Sequence, residues 1–273
     1  MTQTLSRRSL LKIASIAIPL QALPSRIEAL TPSPEGMPAS DTFPAHPPEL
    51  VREMVIVAHF DLQRVRELVD TRPALARAAM DWGFGDWEDA LGAASHMGNR
   101  AIALCLIGKG ARPSIFSAAM LGQLEVVKPF IEAQPGVQKI RGPHSIPLLE
   151  HARKGGPQAH PVFEYLQSLG DAGAEPEAPL ADAERTKLLG TYIFGIAPSQ
   201  QIDVTVENGP GIRNQLTWTR KGTMGRPLYH IGDNTFYPAG APAVRIAFGN
   251  DDDGVLMTIN DPDVVLTARR RKG

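Results

Sequence analysis

The sequence predicts a multidomain α + β protein, in which an α-helical repeat array is followed by a small antiparallel eight-stranded β-barrel. Three observations lead to this fold class. The middle of the chain repeats a pattern of small residues, glycine and paired apolar residues. The last third changes to alternating apolar and polar residues, which is the period of half-buried strands. Between these parts lies DAGAEPEAP, whose composition is typical of a linker.

The composition is that of a globular protein without a strong charge preference. The 273 residues carry a formal net charge of -1, 43% are hydrophobic and 21% are charged. This balance gives no reason to expect nucleic acid as a partner. No apolar run reaches the roughly 18 residues that a membrane-spanning helix needs. Cys105 is the single cysteine, so an internal disulfide is excluded.

The N-terminus predicts an export signal over residues 1–30. The motif SRRSLLK contains adjacent Arg7 and Arg8 and is followed by the apolar stretch IASIAIPLQAL. This pattern resembles a twin-arginine signal, which implies export to the periplasm or beyond, with an N-terminal anchor if the signal is not cleaved. Residues 31–48 are predicted to form a Pro-rich linker, because eight of the 24 prolines fall between Pro19 and Pro48.

Residues 49–172 are predicted to form about four helical repeats that stack on one another. LEVVK, beginning at Leu124, and IPL, beginning at Ile146, resemble the ankyrin repeat. The resemblance implies an ankyrin-like solenoid that binds a protein or peptide on its concave face. The repeat stretches are VAHFDLQRVRELVDTRP (57–73), ASHMGNRAIALCLIGKGARPS (94–114), AAMLGQLEVVKPFIEAQP (118–135) and IPLLEHARKGG (146–156).

Residues 181–271, which follow a linker over 173–180, are predicted to form a short helix and eight strands. Turn sequences such as Asn208-Gly209 separate the strands and favour antiparallel hairpins. Many short strands of this kind are typical of a closed barrel. The predicted strands are 191–196, 202–207, 215–220, 227–231, 235–238, 244–249, 255–260 and 264–269.

Two motifs of the predicted barrel carry a second resemblance. LLGTY, which begins at Leu188, and F-x-P-x-G, which begins at Phe236, resemble lipocalin-like barrel modules at the C-termini of secreted serine hydrolases. In those proteins the barrel is an accessory module, so the resemblance implies no chemistry of its own. A barrel of eight strands is either filled by side chains or holds one small apolar ligand.

The stretch DWGFGDWEDALGAASHMG (81–98) concentrates aromatic and acidic residues. Its first part is predicted to be the hairpin between the first two repeats, where arrays contact partners and where aromatic side chains contribute strongly to binding. The helix that follows is predicted over 88–94, with Asp89 as its cap. The alternative is that the aromatic residues pack over the first repeat. The predicted partner-binding residues are Trp82, Phe84, Asp86 and Trp87.

No metal site and no cofactor is predicted. His144, His151 and His160 are separated by 7 and 9 residues, which is not the spacing of a helical metal-ligand pair. His96 is predicted to be a structural residue in the turn between two helices.

The primary functional hypothesis is an exported, non-enzymatic binding protein whose array engages a protein or peptide partner. No catalytic residue is predicted, because motifs such as G-x-S-x-G and H-E-x-x-H do not occur. One alternative is a hydrolase or enzyme-accessory protein with a site at the junction of array and barrel. Its acid and base groups would be Asp81, Asp86 and His96. Another alternative is a small ligand bound inside the barrel.

Overall fold

The computed structural model describes residues 40–173, 177–209, 212–262 and 264–271. The export signal predicted over residues 1–30 lies outside these residues, as do residues 31–39 of the predicted linker. Residues 44–273 form one compact unit that contains both helices and a barrel. Across the described residues, no helix combines the length and the apolar character that crossing a bilayer requires.

The first part of this unit is a helical array interrupted by a short hairpin. Its helices pack in pairs, and the hairpin lies between the second and third helices. The elements are α1 (Pro48–Val57), α2 (Leu62–Thr71), β1 (Ala79–Asp81), β2 (Trp87–Asp89), α3 (Ala90–Met97), α4 (Arg100–Gly108), α5 (Ile115–Leu121), α6 (Leu124–Ala133), α7 (Leu148–Lys154) and α8 (His160–Leu169).

Glycine ends both α3 and α5 and allows the neighbouring helices to approach closely. Gly98 and Gly122 have φ of +76°, the left-handed conformation that commonly terminates a helix. A Cβ atom at Gly98 would overlap the carbonyl of Lys154, and one at Gly122 would overlap the carbonyl of Gln158. The repeated small residues of the sequence therefore bring the later helices against the earlier ones.

The structure confirms the predicted cap of α3 and corrects the start of that helix. The Asp89 carboxylate accepts a hydrogen bond from the Gly92 N–H. The helix begins at Ala90, whereas Glu88 lies in β2 and pairs with Met80 of β1. In a strand, successive side chains point to opposite sides of the backbone, so Glu88 is buried while Trp87 is exposed.

The second part is a closed antiparallel barrel, as predicted. Within the described residues the strand order is β10-β3-β4-β5-β6-β7-β8-β9, and each strand pairs with the next to complete the ring. A helix, α9 (Asp182–Leu188), precedes it. The strands are β3 (Gly190–Ile193), β4 (Gln201–Gly209), β5 (Ile212–Arg220), β6 (Arg226–Gly232), β7 (Thr235–Pro238), β8 (Arg245–Asp251), β9 (Gly254–Asp261) and β10 (Val264–Arg270).

Aromatic and aliphatic side chains form the core of the barrel. Phe248 makes edge-on contacts with Tyr192 and Phe236, with ring centres 5.6 Å apart in each case. The Tyr192 hydroxyl donates to the carbonyl of Leu188, whose side chain belongs to the same core. These rings lie at the centre of the barrel core.

Two segments of the helical part contact the barrel. Phe84, in the turn between β1 and β2, packs against Trp218 of β5, with ring centres 5.5 Å apart. Ser145, in the turn before α7, accepts a hydrogen bond from the N–H of Gly240 at 2.8 Å. These two contacts bring the β1–β2 hairpin and the turn before α7 to the junction of the two parts.

Candidate metal centre

Four side chains of the helical part converge close to this junction. His59, Glu88, His96 and His144 each offer one ligand atom, and these atoms all lie within 4.8 Å of one another. They come from the turn after α1, from β2, from the last turn of α3 and from the turn before α7. Segments that are distant in the sequence therefore supply three imidazoles and one carboxylate to the same place.

Glu88 lies at the centre of this cluster, and its side chain is fully buried. Its Oε1 is 2.8 Å from His96 Nε2, and its Oε2 accepts a hydrogen bond of 2.7 Å from Trp82 Nε1. The same Oε2 lies 3.4 Å from His144 Nε2 and 3.5 Å from His59 Nε2. The Nε2 atoms of all three histidines thus face one carboxylate.

The ring of His59 is fixed from behind by backbone carbonyls. Its Nδ1 lies 3.0 Å from the carbonyl oxygen of Val55 and 3.1 Å from that of Ile56. Because a carbonyl can only accept, Nδ1 carries the proton. In the neutral ring Nε2 then presents a lone pair to the cluster. Metal-binding histidines are commonly oriented in this way.

A buried carboxylate orients His144. Asp86 accepts the backbone N–H of His144 at 2.9 Å and the ring Nδ1–H at 2.8 Å. Arg226 of the barrel donates to the same carboxylate at 3.2 Å. His144 has φ of +58°, and this left-handed turn is what allows one residue to contact Asp86 through both backbone and ring. The pair has the arrangement of a carboxylate–histidine–metal triad.

The pKa values of the cluster reflect burial opposed by ion pairing. Burial by itself would raise the pKa of Glu88, but hydrogen bonds from His144 and His96 outweigh it and lower that pKa to about 2. Burial by itself would lower the pKa of His144, but Asp86 and Glu88 raise it to about 9. In the metal-free protein at neutral pH, His144 therefore carries a proton between two carboxylates. A bound metal ion would replace this proton as the positive charge.

His96 and His151 are held in the neutral form. Burial lowers the pKa of His96, and it lowers the pKa of His151 to about 3. Ser95 Oγ donates to the Phe116 carbonyl at 3.0 Å and lies 2.8 Å from His151 Nδ1, so that nitrogen is the donor of the second bond. This contact connects α3 to α7 directly behind the cluster and fixes the helix that carries His96.

A cavity of about 540 Å³ lies between the helical part and the barrel, next to the cluster. Trp82 and His144 form part of its wall, and Arg226 and Tyr229 face them from the barrel. His144 is about one-quarter exposed, at 24% of its side chain. A second cavity, of about 260 Å³, is lined by His96 on another side of the cluster. A small molecule in the larger cavity would lie against one edge of the candidate centre.

The structure separates the four predicted partner-binding residues. Trp82 and Asp86 surround the cluster, where they bond to Glu88 and His144. Phe84 packs on the barrel. Asp86 is only 3% exposed, whereas Trp87 is 65% exposed. Of the four, Trp87 has the exposure that contact with a partner requires.

The acid and base candidates of the alternative hypothesis are only partly brought together. Asp86 and His96 both belong to the polar network around Glu88. Asp81 lies at the surface and accepts a hydrogen bond from the Gly83 N–H. His160 is also at the surface, 3.2 Å from Glu164. The spacing of His144, His151 and His160 offers no metal pair along the chain, but the fold places His144 beside His59 and His96.

Two residues of the cluster, His59 and Glu88, are not singled out by the sequence analysis. His59 could be found there, because the aligned stretches VAHFD and ASHMG place His59 and His96 at the same position of the repeat. Glu88 gives a weaker signal, since it stands where the sequence predicts the start of a helix. The carboxylate of Glu88 points into the protein because this residue lies in strand β2 of the hairpin.

Comparison with known proteins adds no assignment. No protein-family model matches the sequence, and no curated protein matches it. The function must therefore be argued from the geometry of the cluster and the cavity.

Proposed function

We propose that the protein is a metal-dependent enzyme that holds a divalent transition-metal ion with His59, Glu88, His96 and His144. The observation that carries this proposal is the convergence of three imidazoles and one carboxylate within 4.8 Å. The Nδ1 atoms of His59 and His144 point away from the cluster, onto a backbone carbonyl and a carboxylate, and leave both Nε2 atoms facing Glu88. This outer arrangement is the one that orients metal ligands in proteins.

The dimensions and chemistry of the cluster suit such an ion. Metal–nitrogen distances of about 2.0–2.1 Å place opposite ligand atoms about 4.2 Å apart, so closure from 4.8 Å needs side-chain movements below about 1 Å. Imidazole with one carboxylate favours zinc, iron, nickel or copper over calcium or magnesium, which prefer oxygen ligands. One carboxylate leaves the ion with net positive charge, which can activate water or polarise a substrate oxygen.

The cavity is the feature that favours an enzyme over a purely structural metal site. His144 contacts both the cluster and the cavity, so a molecule bound there lies beside the ion. Its position between helices and barrel agrees with the alternative hypothesis of a site at the junction. The residues that support the chemistry differ from that hypothesis, because Asp81 lies at the surface and Asp86 is engaged by His144 and Arg226.

Two further parts of the sequence interpretation remain proposals. We propose that the helical part is an ankyrin-like array, which the paired helices and the left-handed glycines after α3 and α5 support. We also propose export through the twin-arginine pathway, on the basis of SRRSLLK. Because this pathway carries folded proteins, a metal centre could be loaded before export.

A second candidate function is binding of a protein or peptide partner through the exposed Trp87. A tryptophan that is 65% exposed at a hairpin has the character of a binding hot spot. This surface faces away from Glu88, because the two side chains alternate along β2. Partner binding and metal binding can therefore be tested independently.

The proposal is tested by metal titration of chelator-treated protein with Co²⁺ and Zn²⁺. We expect one ion per chain and a visible Co²⁺ spectrum with nitrogen ligation. Glu88→Gln should weaken metal binding by at least about 100-fold, since it replaces a ligand rather than an outer residue. Glu150→Gln is the matched control, because Glu150 lies on α7 and pairs with Arg153 near the surface.

Two results would contradict the proposal. The first is that the chelator-treated protein takes up no Co²⁺ or Zn²⁺ at stoichiometric concentration. The second is that Glu88→Gln and Glu150→Gln bind metal equally well, which would place the ion elsewhere. In either case the cluster would be a buried ion-pair network alone.

A further inference from the structure

The charge of the larger cavity identifies a class of ligand. The described residues that line it include two arginines, Arg52 and Arg226, and no aspartate or glutamate. The smaller cavity differs, because Glu150 and Glu177 line it together with Arg141 and Lys154. The charged side chains that line the larger cavity are thus cationic, and this favours an anion.

Arg52 has a guanidinium that is available to bind an anion in the cavity. Its guanidinium lies 5.8 Å from the ring centre of Trp82, at the wall of the cavity. The neighbouring acid, Glu53, is paired with Arg64 at 2.7 Å. Among the described residues, Arg52 makes no ion pair or hydrogen bond. A planar guanidinium in this position can bind a carboxylate or a phosphate through two parallel hydrogen bonds.

Arg226 has a different role, because its charge is already engaged. It donates to Asp86 at 3.2 Å and to the Ala239 carbonyl at 2.7 Å. These bonds hold its side chain in place at the barrel wall. Both bonds are made by Nη1, and the charge of Arg226 is balanced by Asp86, whereas Arg52 has no acidic partner among the described residues.

The remaining wall is largely apolar and includes flat surfaces. Trp82 and Tyr229 contribute aromatic rings, and Ile146, Met224 and Pro227 contribute aliphatic groups. The volume of about 540 Å³ lies within the range of sites for small organic molecules. An apolar body of the ligand would replace water along these side chains while its charged end stays near Arg52.

We infer that the larger cavity binds a small organic anion, with its flat apolar body against Trp82 and its carboxylate or phosphate on Arg52. This inference deepens the proposed function, since it names the substrate class for the metal centre beside the cavity. It also stands on features of its own, because the contacts of Arg52 and the cavity lining do not depend on the ion.

Calorimetric titration with simple aryl probes tests the inference. Phenylacetate and phenyl phosphate should each bind at least about 10-fold more tightly than benzyl alcohol, because a charged hydrogen bond contributes more than a neutral one. Benzylamine should bind more weakly than benzyl alcohol. Arg52→Gln should reduce the affinity for the anions about 10-fold, whereas Arg66→Gln, an exposed arginine of α2, should not. The tighter of the two anions identifies the charged group as a carboxylate or a phosphate.

Titration of both chelator-treated and Zn²⁺-supplemented protein separates this inference from the proposed function. Anion binding that depends on Arg52 in chelator-treated protein supports the inference, even if no metal is taken up. Equal binding of phenylacetate, phenyl phosphate and benzyl alcohol overturns it. The inference is also overturned if Arg52→Gln binds the anions as tightly as the unmodified protein does. The proposed metal centre would remain supported in that case if Zn²⁺ still binds.

Discussion

The helical part buries more acidic and histidine side chains than the barrel does. The barrel core consists mainly of aromatic and aliphatic residues, such as Tyr192, Phe236 and Ile246. The helical part buries Glu88, Asp86, Ser95, His96 and His151 in and behind the cluster. Burial of polar groups costs free energy unless partners satisfy them. The buried polar side chains of the helical part therefore mark a region that selection for stability alone would not favour.

Most of these groups find partners in one network around Glu88 and Asp86, whereas Nε2 of the buried His151 has no hydrogen-bond partner among the described residues. Trp82, His96 and His144 surround Glu88, while Arg226 and His144 engage Asp86. Removing one partner of a buried ion pair usually costs far more stability than replacing the whole pair with apolar residues. A buried network whose members are this costly to remove is expected at a functional site. The barrel contributes to this network through Arg226.

The largest test of this comparison acts from the barrel side, at Gly240. A Cβ atom there would overlap the Asp86 carboxylate, and Gly240 has φ of +82°. We expect Gly240→Ala to lower the free energy of unfolding by about 3 kcal/mol, from left-handed strain of about 1–2 kcal/mol plus overpacking of about 1–3 kcal/mol. Denaturant unfolding of the metal-free protein measures this loss.

Gly110→Ala is the matched control for this prediction. Gly110 has φ of +92°, and nothing lies within 4 Å of a Cβ atom placed there. It should show only the strain of about 1–2 kcal/mol. Equal losses for the two variants would mean that the barrel does not press on Asp86.

The second prediction concerns pH and His151, which is fully buried. Its pKa is lowered from 6.5 to about 3, so between these values the unfolded chain binds a proton that the native chain does not. The contribution of His151 to stability is therefore complete above pH 6.5 and decreases as the pH falls. Between pH 7 and pH 4.5 we expect a loss of roughly 2–3 kcal/mol from this residue.

His151→Gln isolates that contribution from the acids that titrate nearby. The stability difference between the unmodified protein and the variant should shrink as the pH falls from 7 to 4.5, as measured by urea unfolding at each pH. His160→Gln, at the surface of α8, should follow the unmodified protein at every pH. A constant difference for His151→Gln would show that His151 is not held neutral.

The smallest expected effects come from replacing tryptophan by phenylalanine at two positions of the β1–β2 hairpin, Trp82 and Trp87. Trp82→Phe removes the N–H that donates to Glu88, which should cost about 1 kcal/mol of stability and weaken metal binding about 10-fold. Trp87→Phe alters an exposed ring and should change stability by less than about 0.5 kcal/mol. Zn²⁺ titration and thermal unfolding of both variants compare them. Equal Zn²⁺ affinities of the two variants would show that Trp82 does not support the metal centre.

The fold could be predicted from the sequence to a large extent, because periodicity is a local signal. Alternating residues locate all eight strands, and the Asp89 cap marks the start of α3 within two residues. The site could not be predicted in the same way. Its ligands come from four segments, and His144 reaches the cluster only through a left-handed turn that the sequence around Gly142-Pro143 does not specify.

The histidines at matching repeat positions have a consequence for how such a centre can originate. His59 follows the first helix of one helix pair, His96 ends the first helix of the next, and their rings lie 5.0 Å apart. In the proposed repeat array, stacking would bring equivalent positions of adjacent units side by side. Duplication of a single histidine-bearing unit would thus deliver two ligands at once, at a separation that a metal ion can bridge. Only Glu88 and His144 would then need to be acquired separately.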